Sequence, residues 1–145
     1  MILMFGSALA QEGKAERPAP KPECIISATS QPALESCTFR QYRFMRESGP
    51  GFQGFAVSRM ESGHYIPTSL GLIFKDKERS LAAINKSLRK EVDKNRKSGH
   101  PCEWVDLDFS QLGLRFEDDK AIIAPLTAGC TQMSLSLREL DRMLK

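Results

Sequence analysis

Four cysteines, two histidines, a close pair of aspartates and one tryptophan are the side chains of this sequence with the most chemical reach. His100 stands two residues before Cys102 in "GHPCEW", where a base and a thiol are near neighbours. A thiol enzyme needs that cysteine unpaired and its thiolate stabilised. The cysteine set points elsewhere: Cys24, Cys37, Cys102 and Cys130 are even in number, the pattern of disulfides formed in an oxidising compartment. Pairing Cys24 with Cys37 and Cys102 with Cys130 closes a modest loop each time, between elements that neighbour one another. The gaps of 12, 64 and 27 residues between successive cysteines, with His64 and His100 forming no ligand pair, lack zinc-site spacing, and no metal is expected.

The remaining candidates are binding groups. No GxSxG, HExxH, phosphate loop or dinucleotide glycine pattern occurs, so no catalytic residue and no cofactor is assigned. Asp106 and Asp108 sit two apart in "EWVDLDF" (103–109), an alternating run in which Val105, Leu107 and Phe109 face inward if it is a strand. The same parity puts Trp104 on the outer face with the two aspartates, where an indole can anchor a sugar ring or a protein. Tyr65, beside His64 in "ESGHYIP", is a further candidate for orienting a ligand. Residues 75–97 carry nine Lys or Arg against four acids, a local net charge of +5 in a chain of +3. Lys86, Arg89, Lys90, Lys94, Arg96 and Lys97 would form a basic surface suited to an anionic cell-wall component or an acidic envelope protein. A nucleic-acid partner is not expected, because no aromatic-basic platform accompanies these cations.

These residues need elements to hold them. "CTFRQYRFMRE" (37–47), the turn "SGPG" and "FQGFAVSRM" (52–60) read as a hairpin. "HYIPTSLGLIFK" (64–75) reads as a third strand with Leu70, Leu72 and Phe74 on one face, and Pro67 marks an edge or entry position. Leu81, Ile84, Leu88 and Val92 recur at steps of three and four, which predicts a helix over 76–99 with Asp76 as N-cap and Gly99 as stop. Further strands follow in "LRFE" and "KAIIAPL" around the bend at Asp118–Asp119, and in "CTQMSLS". Ser136 and Glu139 at capping-box spacing open a short terminal helix through Leu137, Leu140 and Leu144. Strand hairpins before and after one long helix give an α+β fold: an antiparallel sheet packed on that helix, with a short C-terminal helix, stapled by disulfides.

The chain opens on an apolar run and "Ala8-Leu9-Ala10", which reads as a signal peptide (1–10) cut before Gln11, although a basic leader is missing from what precedes it. Residues 11–23 hold prolines and charges without a large apolar side chain and read as a linker, leaving 24–145 as a single domain. No apolar run approaches the roughly 20 residues of a membrane span, so the expected location is periplasmic or secreted.

The second half has a pattern of its own: "AINKSL" in the helix, a strand, then "GLRFEDDKAIIAPLTAGCTQMSLSLRELDRMLK". In Gly113, Leu114, Phe116, Ala128 and Gly129, with Leu137 to Leu140 in the final helix, it resembles the small extracytoplasmic domain found beside peptidoglycan deacetylases and in a lysozyme-sensing anti-sigma factor. The resemblance covers roughly residues 70–145, and departs at Ile123 and Leu126, where aromatics are usual, and at Cys130, where proline is usual. It implies a sheet packed on a helix, without catalytic residues, serving as an accessory or binding module of the envelope. The functional expectation is a non-enzymatic module docking on an envelope protein or polymer. The alternative is a small hydrolase or thiol-dependent enzyme of the envelope using His100, Cys102 and a carboxylate.

Overall fold

The computed structural model describes residues 19–27, 33–50, 52–99, 103–127 and 131–145. The expected signal peptide, the linker up to residue 18, and His100, Cys102, Ala128, Gly129 and Cys130 lie outside the described residues.

The fold is α+β, with its strands divided between two antiparallel sheets. The first contains β1 (Glu23–Ser27), β2 (Ala33–Phe39), β3 (Tyr42–Gly49), β4 (Phe52–Glu61) and β5 (His64–Thr68) in sequential order. The second contains β6 (Leu112–Glu117), β7 (Lys120–Pro125) and β8 (Met133–Ser136). Between the sheets in sequence runs α1 (Lys77–Lys97), and α2 (Leu137–Met143) follows β8.

Local chemistry explains most of the boundaries. The run 37–47 expected as one strand is split at Arg40 and Gln41 into β2 and β3. Arg40 takes a positive φ of 56° there, which an arginine tolerates only with compensation. Its guanidinium supplies it by donating to the carbonyls of Asp141 (3.1 Å) and Lys145 (2.7 Å), and by pairing with the Asp141 carboxylate at 3.4 Å. Ser62 and Gly63, both at positive φ, make the two-residue turn whose twist suits the β4–β5 hairpin. β5 is one of the sheet's two edge strands, the kind of place that accommodates Pro67.

The strand expected over 64–75 stops at Thr68. Leu70–Ile73 form a 3-10 turn instead, with Ile73 and Phe74 buried and Leu72 left 54% exposed. The reason lies in the pairing of Phe74 with Leu144 and of Lys75 N–H with the Met143 carbonyl (2.9 Å): the chain leaves the first sheet to receive the C-terminal segment. The helix follows expectation, with the Asp76 side chain accepting from Arg79 N–H at 3.1 Å and Ile84, Leu88 and Val92 buried. Thr131, Met133 and Leu135 are buried in alternation, and Ser136 and Glu139 form the expected reciprocal cap of α2.

One core unites the layers. Cys37, Phe39, Tyr42, Phe44 and Val57 from the first sheet meet Leu114, Phe116, Ala121, Ile123, Met133 and Leu135 from the second. The Phe116 ring lies 5.5 Å from that of Phe39 and 5.3 Å from that of Phe44. Ile84 and Leu88 of α1, and Leu137 and Leu140 of α2, complete the cluster. Gly113 lets the second sheet approach, because a Cβ there would sit 2.5 Å from the Phe55 ring.

Cys24 and Cys37 are joined by a disulfide and face each other across β1 and β2. The bond fastens a strand whose five residues are all exposed, Ile25 and Ile26 included, to one whose inner face is core.

Candidate functional site

The segment 103–108 is the main correction to the sequence reading. It is not a strand: it has no ladder partner and runs irregularly until Phe109 begins a second 3-10 turn. Val105 does not face the core but is 76% exposed, while Phe109 is buried and Leu107 only partly so. The force that shapes the segment comes from α1. Asn85, 5% exposed, donates from its side-chain amide to the Leu107 carbonyl at 2.8 Å and accepts from Leu107 N–H at 2.9 Å. A side chain thus supplies both halves of a backbone pairing. It leaves the residues on either side of Leu107 free of sheet geometry.

The pinned segment brings Trp104, Asp106 and Arg89 together. The Trp104 indole N–H donates to Asp106 Oδ1 at 3.0 Å, and Arg89 reaches the same oxygen at 2.7 Å. The hydrogen bond from Arg89, and after it that from Trp104, hold the Asp106 carboxyl below the usual aspartate range. Trp104 is not simply outward-facing as parity predicts. It packs partly against the core while its N–H reaches the surface. The result is an indole, a carboxylate and a guanidinium in fixed relative positions, the composition of an interface anchor. Asp108 does not join them: its N–H donates to the Gln111 side chain at 3.0 Å, at the start of the 3-10 turn.

At about 100° per residue, the six expected cations follow one another around the outward arc of α1, from Arg96 and Arg89 on the flank toward Asp106, through Lys86, Lys97 and Lys90, to Lys94. Arg89 is committed to Asp106, and Lys94 lies 3.5 Å from Glu91. Between α1 and β8, Ser87, Lys90, Glu91, Lys94, Gln132, Met133 and Ser134 line a polar groove of about 430 Å³.

Tyr65 lies on the first sheet, in β5, with the Arg43 guanidinium 4.4 Å above its ring centre, so one face of its ring is occupied by a neighbour. A smaller, largely apolar cleft of about 150 Å³ opens between the sheets, lined by Phe55, Leu70, Phe109, Leu112 and Leu126 together with Thr68, Ser69 and Ser110. Among the described residues no three His, Cys, Asp or Glu side chains converge on a point where a metal would sit, and no helix is long and apolar enough to cross a membrane.

Sequence reasoning named Trp104, Asp106 and Arg89 separately and missed the residue that joins them. A signal existed: Asn85 is a polar residue next to Ile84 and one turn from Leu81 and Leu88, inside the apolar arc of the helix. A buried amide at such a place must find backbone partners. Protein-family models give no match to the chain, and neither curated proteins nor solved structures give one.

Proposed function

We propose that this protein is a non-enzymatic binding module of the cell envelope, periplasmic or secreted, that docks on an envelope protein or polymer. The observation that carries the reading is the Trp104–Asp106–Arg89 array, held on an irregular segment by Asn85. Catalysis asks for groups whose reactivity is exposed to substrate. Here both donors meet one oxygen of the exposed Asp106 carboxylate, Oδ1, and the cation is paired, which suits recognition by stacking on the indole and hydrogen bonds at the carboxylate's free positions. Pre-ordering of the three side chains lowers the entropy cost of binding. The Cys24–Cys37 disulfide supports an oxidising location, and the resemblance of residues 70–145 to extracytoplasmic accessory domains points the same way.

The test uses the single tryptophan. With 5-fluorotryptophan incorporated, Trp104 gives one fluorine resonance, to be followed as fractionated envelope extract is added. The reading expects saturable broadening or a shift with at least one fraction. A resonance that no fraction moves would remove this surface as the docking site.

A further inference from the structure

The groove between α1 and β8 has a chemistry distinct from the Trp104 surface, and its polar groups point in one direction. Lys90 has no acidic partner among the described residues. Gln132 has its side-chain oxygen engaged by Arg115 at 3.3 Å, so the group it offers to the groove is its amide NH2. Ser87 and Ser134 add hydroxyls on opposite walls, one from the helix and one from the strand. Lys90 and Lys94, one helical turn apart, set two cations along the same wall. α1 and the residues leading into β8 are tied together, since the buried Thr131 hydroxyl donates to the Leu88 carbonyl at 2.9 Å. Set among these donors is one carboxylate, Glu91, which lies 3.5 Å from Lys94.

Two ammonium groups, an amide and two hydroxyls suit the oxygens of an anionic group, while a single carboxylate suits the hydroxyls beside it. We infer that the groove binds an anionic sugar unit: Lys90 and Lys94 hold its phosphate or carboxylate, Glu91 accepts from a ring hydroxyl, and Ser87, Gln132 and Ser134 complete the contacts. This inference rests on the envelope-binding reading and narrows it to one ligand chemistry at a second surface. A space of about 430 Å³ accommodates one or two sugar rings.

The experiment is an amide chemical-shift titration of the full chain with glucose 1-phosphate, galacturonic acid trimer and neutral maltotriose. Saturable shifts at Ser87, Gln132 and Ser134 are expected with an anionic sugar, and the phosphate and carboxylate arms identify which anion the site prefers. The K90Q/K94Q variant should bind at least tenfold more weakly, while K77Q/R79Q, which removes the same charge from the other end of α1, should bind within threefold of wild type. Both pairs are exposed, and the dispersion of the unperturbed spectrum reports whether each variant is folded. Equal weakening by the two variants would show unspecific charge attraction and overturn the inference, as would equal shifts with maltotriose. Silence of these amides to every sugar, with the Trp104 resonance still responding to envelope fractions, would discard the groove alone. Silence of both would discard the binding reading as well.

Discussion

At the scale of single residues, the account turns on two side chains that organise others. Asp106 has its folded pKa depressed by Arg89 and Trp104, so the array is fully formed above the ordinary aspartate value of about 3.9 and is lost as pH falls through the lower folded value. Emission from the only tryptophan should therefore stay constant down to the aspartate range and change below it. In Asp106→Asn that transition should vanish, and a wild-type midpoint above about 4 would contradict the assigned hydrogen bonds. Asn85→Ala removes both partners of Leu107 at a partly buried site, and a loss of roughly 2 kcal/mol is expected from urea unfolding. Faster hydrogen exchange at Leu107 N–H should accompany it. Unchanged exchange would mean that the segment is held by something other than Asn85.

At the scale of elements, what could be read from the sequence was whatever depends on near neighbours. The α1 stripe, the Asp76 cap, the α2 capping box and the alternation through Thr131, Met133 and Leu135 are set by residues within about one helical turn or one strand, and each stands as expected. The failures share a cause of the opposite kind. "VDLDF" (105–109) alternates strictly, yet the segment is held by Asn85 from 22 residues away. Leu72 and Phe74 sit in a strand-like pattern that yields to pairing with Leu144, an interaction visible only once the chain is folded. The same dependence on distant contacts gives Gly113 its role. Gly113→Ala should cost about 1–3 kcal/mol by forcing a Cβ into the Phe55 ring, measured by thermal or urea unfolding. Combining it with Phe55→Leu should recover part of that loss, and strict additivity of the two would show that they do not touch.

At the scale of the whole molecule, one core joins two sheets and two helices, and a covalent bond ties on the outermost strand. The disulfide closes a loop of separation 13, worth about 3 kcal/mol in the chain-entropy view. Replacing Cys24 and Cys37 together with serine should lower stability by that order, and should release β1 amides to exchange before those of β3 and β4. The candidate site was legible only in its parts. The types of Trp104, Asp106 and Arg89 were informative, but their meeting depends on how a helix and an irregular segment share one buried amide. The six cations of α1 read as one surface in sequence, but the pairing of Arg89 with Asp106, 17 residues on, is visible only in the fold. The proposed reading gives the molecule two binding surfaces on a scaffold whose outer strand β1 is braced by the Cys24–Cys37 disulfide. The measurement that bears most directly on this view is quantitative capture from envelope extract by immobilised wild type and Trp104→Ala, each verified as folded. The account predicts a component retained by wild type and reduced at least tenfold by the variant. Recovery of every component in equal amount by both would contradict it.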